Sequence, residues 1–297
     1  CMGDASLAVA VVTYRTPELA LECLRQVASA AEGADVRLVD TAPSAEFAAR
    51  MAAEHPSVSY VPSVNHSYSH AVNVGLAGAK AEYVALMNAD VVLRPTTISD
   101  LISALAADSG AGAAGPLALG QNGQPQSLGA LYARHYRALA RLRKRGAAAS
   151  PVSVVVPWLS GCLQLIRRAD WEALGGYDPA FRFWNEDLDF GLRLGAAGRR
   201  SLLVDSSIVH LGGTSTPSHP AFKLEGRRGG LLVGKRHYSA ALFAAQRAVV
   251  YAEAATGSFF ARTPGGRAAH AELLRIVRSG DFGATPFGAT LDERPAW

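Results

Sequence analysis

Three clusters of residues in this 297-residue chain are of the types and spacing that do chemistry. The first is Tyr83-Val84-Ala85-Leu86-Met87-Asn88-Ala89-Asp90, an apolar run that delivers a carboxylate before Pro95 breaks the pattern. A diphosphate carries charge that a divalent cation neutralises, and Mg²⁺ takes one or two carboxylates together with phosphate oxygens and water. Asp90 could supply such a ligand, with Asn88 binding by hydrogen bond or through a water; Asp90 could equally cap the turn into the next helix. The second cluster is Phe181-Arg182-Phe183-Trp184-Asn185-Glu186-Asp187-Leu188-Asp189, with three carboxylates in four residues where a helix begins. A helix N-terminus favours anions, which accounts for one acid better than for three set among aromatics. A carboxylate placed there could deprotonate an attacking hydroxyl. Helical spacing puts Glu186 and Asp189 on one face and points Asp187 elsewhere. The third is His210, which ends the apolar Ile208-Val209 and opens Gly212-Gly213-Thr214-Ser215. A neutral imidazole there is a possible metal ligand; a hydrogen-bonded core histidine is the plainer reading of a single His.

The elements that must position these residues alternate in type. Residues 8–13, Val36–Val39, Val58–Val61 and Tyr83–Met87 are short apolar runs, as strands buried on both faces require. Between them, Thr16-Pro17 starts a helix that Gly33 stops, and residues 45–54 and 69–79 read as further helices. Strands alternating with helices imply βαβ units and a parallel sheet, whose ligands bind beyond the carboxyl ends of the strands. Asp90 lies at such an end. The second half is less regular. Strands are expected at 111–118, 152–156 and 162–166, and short apolar segments at 202–204 and 208–210. Helices are expected at 168–174, from Glu186 to Ala197, and as one long helix over 228–255. The last 35 residues, rich in Gly, Pro and Ala, read as a loosely held arm.

Composition sets the frame. Hydrophobic residues make up 49% and charged residues 18%, so a large core is available and disorder is excluded. No run of 18 apolar residues or secretory signal is present, and Cys23 and Cys162 sit in apolar runs without metal-site spacing. A reducing, cytoplasmic setting is expected. The net charge of +4 gives no case for nucleic acid. The basic stretch at 134–145 reads slightly better as a solvated helix face than as an acceptor-gathering loop. Lys223, Arg227, Arg228, Lys235 and Arg236 form a second basic group that could clamp phosphates or touch anionic lipid.

Taken in order, the motifs over roughly residues 7–240 resemble the family 2 glycosyltransferases of GT-A fold, especially bacterial rhamnosyltransferase-like and galactofuranosyltransferase-like members. They are Val11-Val12-Thr13-Tyr14-Arg15, Val39-Asp40-Thr41, Asn65, Asn73-Val74-Gly75, Asn88-Ala89-Asp90, Gly175-Gly176-Tyr177-Asp178, Glu186-Asp187-Leu188-Asp189 and His210. The resemblance implies an α/β GT-A domain over 2–220, with a nucleotide half (7–118) and an acceptor half (119–220), and a helical appendage over 221–297. It implies an inverting transfer from a UDP- or dTDP-linked sugar to a glycan or lipid-linked acceptor, in bacterial envelope polysaccharide synthesis. The setting would be cytoplasmic, with peripheral contact at the inner membrane face. Thr13, Tyr14, Arg15, Asp40, Asn65, Asn73, Asn88 and Ala89 would border the nucleotide sugar. Asp90 and His210 would hold Mg²⁺ or Mn²⁺, Asp187 would be the general base, and Glu186 and Trp184 would meet the sugars. The sequence departs from the family pattern at Asn88, where Asp is usual, at Arg15, at Ala42-Pro43 and at His66. An inactive nucleotide-binding scaffold is the alternative. A nucleotidyltransferase would want a glycine-rich loop and a lysine after Val12, and neither is there.

Overall fold

The computed structural model describes residues 6–126, 132–144, 152–212 and 218–297. In the first half, β1 (Leu7–Thr13), α1 (Pro17–Ala30), β2 (Asp35–Asp40), α2 (Ala45–Glu54), β3 (Ser59–Pro62), α3 (Tyr68–Leu76) and β4 (Tyr83–Asn88) alternate as the apolar runs require. β3, β2, β1 and β4 are parallel neighbours in that order. All of Leu7 to Val11 is buried, because helices cover both faces. α3 lies very close to the sheet. A Cβ at Gly75 would meet Ala10 Cβ at 2.7 Å and Val39 Cγ2 at 2.8 Å, so only glycine permits this approach.

Then come β5 (Val91–Val92), α4 (Thr97–Ala107), β6 (Ala111–Leu119), α5 (Ala133–Lys144), β7 (Ser153–Val156), β8 (Leu163–Arg167), α6 (Arg168–Ala173), α7 (Glu186–Ala196) and β9 (Arg200–His210). The sheet runs β3-β2-β1-β4-β8-β6-β9-β5, with β7 also paired to β9. The α/β class stands, and beyond β4 the sheet becomes mixed. β8 runs antiparallel to both β4 and β6, while β6 and β9 are parallel. β8 starts beside the carboxyl end of β4, where Asn88 N–H donates to Cys162 O at 3.0 Å. Its reversed entry delivers Gly161 to the strand ends. Cys23 and Cys162 are buried and free, and burial pushes their thiols up to about 12 and about 11.

The C-terminal part differs from expectation in two ways. The long helix is divided into α8 (Pro220–His237) and α9 (Ala240–Phe260), because Tyr238 is extended and the Ser239 hydroxyl accepts from Leu242 N–H to start a new helix. The last 35 residues are not loose. α10 (Pro264–Ser279) packs on α9, and the tail beyond it docks through aromatic and apolar anchors. Phe287 meets Phe222 at 5.1 Å, Trp297 stacks on His219 at 5.7 Å, and Leu291 is buried.

One buried ion pair ties these pieces together. Arg228 and Glu225 are both 0% exposed. The Arg228 guanidinium also donates to Ala180 O (2.6 Å) and Phe282 O, and Glu225 accepts from Thr285 Oγ1 (3.1 Å) and Arg182 N–H (3.3 Å). Removing one member of such a pair strands the other. Arg228→Ala is therefore expected to cost about 3–5 kcal/mol of unfolding free energy in urea titration. A loss under about 1 kcal/mol would contradict this.

The basic residues divide by partner. In α5, Arg143 reaches Asp205 at 3.5 Å; Arg145 lies outside the described residues. Arg236 pairs with Asp178 (2.6 Å), Lys235 sits over the Phe282 ring, and Arg227 pairs with Glu253 (3.0 Å).

Candidate active site

The carboxyl ends of β1 and β4 open into a cleft of about 700 Å³, lined by Thr13, Tyr14, Asn65, Asn88, Ala89, Asp90, Trp184, Glu186, Asp187 and His210. The three chemical clusters of the sequence thus meet in one place. The means is register. In the β5–β9 pairing Val91 stands opposite His210, and Leu211 N–H donates to Asp90 O at 3.0 Å. His210 Nε2 comes to 3.2 Å from Asp90 Oδ1.

Gln126, which the sequence did not single out, decides what that nitrogen offers. Its Nε2–H donates to His210 O at 3.0 Å, so its Oε1 must face His210 Nδ1, 2.8 Å away. Nδ1 therefore carries the hydrogen in neutral imidazole, and Nε2 presents its lone pair. Asn88 Nδ2, at 3.4 Å from Nε2, fits the same assignment. A lone pair and a carboxylate oxygen so close face each other, and a shared cation relieves this. Adjacent ligands of octahedral Mg²⁺ or Mn²⁺ sit about 3 Å apart. Among the described residues no three His, Cys, Asp or Glu side chains gather as a metal site. Asp90 and His210 fit as two neighbouring ligands of such a cation.

The acidic cluster is arranged differently from its helical spacing. Glu186 and Asp187 both line the cleft, while Asp189 is fully buried on Arg193 (2.7 Å) and His237 (2.9 Å). Asp187 accepts from Gly161 N–H (2.9 Å) and Leu188 N–H (2.8 Å), and Tyr68 holds the Gly161 carbonyl at 2.7 Å. Burial raises the Asp187 carboxyl, opposed by those two N–H groups. Burial, followed by the Asp187 charge, pushes Glu186 up to about 8. Glu186 Oε2 is buried with no hydrogen-bond partner among the described residues, which leaves it for a ligand hydroxyl. The turn into α7 is strained: Trp184 (φ 63°) and Asn185 (φ 71°) are both left-handed. Asn185 is held by Gly226 O at 3.0 Å, and Trp184 lies where a Cβ on Gly226 would sit 2.7 Å from its ring.

A carboxyl raised on folding stabilises the fold fully below its unfolded value near 4.5 and loses that contribution as pH rises through about 8. Glu186→Gln should accordingly melt higher than wild type at pH 9 and nearly alongside it at pH 4. A pH-independent difference in Tm would show that Glu186 is not the cause.

The other expected nucleotide contacts divide. Tyr14 OH donates to Asp292 Oδ1, Asn65 Nδ2 donates to Asp292 Oδ2 at 3.0 Å, and Arg15 approaches the same carboxylate at 3.6 Å. The C-terminal tail therefore forms one wall of the cleft, with Leu291 and Arg294 in its lining. Asp40 is 2% exposed and does not line the cleft. Its oxygens accept from Ala42 N–H (2.9 Å) and Tyr60 OH (2.7 Å), and its neighbour Thr41 is the lining residue. Asn73 also lies outside the lining, clamping Tyr177 O (2.7 Å) and Tyr177 N–H (3.0 Å). Residues 213–215, after His210, lie outside the described residues.

A mixed sheet with strand-end carboxylates above its parallel half is the architecture of GT-A glycosyltransferases. Two solved structures share the fold. A mannosyltransferase from Pyrobaculum calidifontis in complex with GDP-Man and Mn²⁺ superposes with TM-score 0.57 at 18% identity, covering 93% of this chain and 86% of that one. GalNAc-T7 with UDP, GalNAc and Mn²⁺ gives TM-score 0.60 at 13% identity, covering 93% and 56%. Residues 5–229 match the family described as Glycosyltransferase like family 2, and the chain belongs to that family. A relative in Mycobacterium tuberculosis, N-acetylglucosaminyl-diphospho-decaprenol L-rhamnosyltransferase, is 31% identical over 199 residues. That match covers 57% of this chain and 64% of the relative, under two thirds of its length.

Proposed function

We propose that this glycosyltransferase moves a sugar from a UDP- or dTDP-linked donor to a hydroxyl of a lipid-linked diphospho-sugar, with inversion. The observation that carries this is the meeting of Asp90, His210 and Asp187 in one cleft at the strand ends. Thr13, Tyr14 and Asn65 border the nucleoside. Asp90 and His210 would hold Mg²⁺ or Mn²⁺, and such a cation, when bound, would neutralise charge on the departing diphosphate. Asp187 takes the proton of the acceptor hydroxyl as that oxygen attacks the anomeric carbon opposite the leaving group. Glu186, kept protonated at neutral pH by burial, donates to a sugar oxygen. Trp184, 48% exposed at the cleft, offers a face to the acceptor sugar. The relative's diphospho-decaprenol acceptor supports the acceptor class. The catalytic domain is assigned to 2–220 and the helical appendage to 221–297. No described helix is long and apolar enough to cross a membrane; the proposed contact with a lipid acceptor is peripheral.

The test is a thermal-shift screen of nucleotide sugars with and without Mn²⁺, followed by transfer assays with the donors that bind. A bound donor at 100 times its Kd stabilises by about 2.7 kcal/mol. A Mn²⁺-dependent shift with UDP or dTDP sugars is expected. No shift with any nucleotide sugar would overturn the reading.

A further inference from the structure

A second cavity, of about 650 Å³, lies between α8, α9 and α10. It shares Trp184, Ser218 and Lys223 with the donor cleft, so the two adjoin. Nothing in the reaction as set out above uses it. Trp184 stands two residues before the cleft carboxylates. Lys223 and Arg227, both in the lining, stand one turn apart on α8, the spacing that places them on one face. Lys223 makes no hydrogen bond or ion pair with a described residue, and Arg227 has only Glu253, at 3.0 Å. His270 also lines the cavity, with its ring packed so closely on α9 that a Cβ on Gly257 would sit 2.4 Å from it. Ala261, another lining residue, follows directly on Phe259 and Phe260, which are 76% and 83% exposed. Leu242 and Val249, also exposed, extend this apolar surface along α9.

We infer that this cavity is the acceptor's diphosphate subsite. Lys223 and Arg227 take the phosphates, and the exposed apolar surface of α9 takes the start of the lipid chain. The inference rests on the lipid-linked acceptor proposed above. It gives one occupant to the cations that line the cavity and the bare phenylalanines that adjoin it. A diphosphate could also come from the donor, so the test must separate the two sources.

The test compares N-acetylglucosamine carried on diphospho-farnesol with the phosphate-free octyl glycoside as acceptors. Wild type should show a KM for the diphospho-lipid at least about tenfold below that for the glycoside. Arg227→Ala should raise the first KM about tenfold, the scale of one charge-assisted hydrogen bond, and leave the glycoside and donor KM values unchanged. Glu253→Gln, which frees Arg227 of its competing carboxylate, should lower it. These opposite signs are what a merely structural pair would not give. Equal KM values for both acceptors, or an Arg227→Ala effect on donor KM, would overturn the subsite while the transferase reading stands. Should wild type glycosylate neither acceptor, the acceptor reading itself fails. Calorimetric titration with farnesyl diphosphate alone then still decides the cavity: binding weakened by Arg227→Ala supports it, and equal or absent binding rejects it.

Discussion

Asp187→Asn is expected to cut sugar transfer by about 10²- to 10⁴-fold, the range a general base supplies, while leaving the donor dissociation constant within about twofold of wild type. An amide cannot accept the acceptor's proton, and nothing else in the side chain's size changes. Asp187 is well prepared for that proton. Gly161 N–H at 2.9 Å and Leu188 N–H at 2.8 Å fix both oxygens, and Tyr68 fixes the Gly161 peptide in turn. Burial holds the carboxyl above the ordinary range, so it is a better base than a solvated aspartate. The sign for pH follows. The base works deprotonated, so kcat/KM should fall as pH drops through this raised value, giving an acid limb above that of an exposed carboxylate. Single-turnover rates with saturating donor, and calorimetry for donor binding, separate the two effects. Near-normal turnover in the variant would remove Asp187 from the mechanism.

Legibility in the sequence followed the range of the interaction. β1 and β4 are continuous apolar runs flanked by helices, and such runs have few alternatives to a buried parallel strand. Asp90 and Asp187 were legible because each is an acid at the end of an element. Their grouping with His210 came from a family resemblance, and the β5–β9 register is its physical cause. The acidic cluster was half legible. Helical spacing joins Glu186 to Asp189, but it cannot know that Arg193 and His237 occupy Asp189. Asn73 shows the same limit, since its partner Tyr177 is 104 residues away.

Gln126 left no signal at all. Its role exists only because its backbone N–H bonds back to Ala118 O in β6, which lies beside β9, so its amide reaches His210. The tail did leave one. Its Gly, Pro and Ala suggested looseness, yet Phe282, Phe287, Leu291 and Trp297 are spaced anchors, and all four pack into the helical cores. Ser239 was likewise a local cap inside a continuous apolar pattern, and the pattern hid the helix break.

Asp90→Ala is expected to abolish Mn²⁺-dependent donor binding at micromolar metal and to lower transfer by about 10³-fold, the scale of several kcal/mol of charge stabilisation. Raised Mn²⁺ should restore part of the activity, because His210 still offers its Nε2. Chelation of wild type should reproduce the loss, and Mn²⁺ should restore more than Mg²⁺, since an imidazole nitrogen suits a transition ion better than a strictly oxygen-seeking one. Gln126→Leu tests the orientation separately. Without an acceptor for Nδ1–H the ring is free to take the other tautomer and rotate, and metal affinity should fall about 10- to 100-fold. Gln126→Glu keeps that acceptor and should fall less. Mn²⁺ titration followed by electron paramagnetic resonance reads each affinity without turnover. Unchanged Mn²⁺ affinity in Asp90→Ala would remove the pair as a metal site. The size of the effect follows from Asn88: an amide stands where a second carboxylate is usual, so of that motif's two polar side chains only Asp90 is a carboxylate.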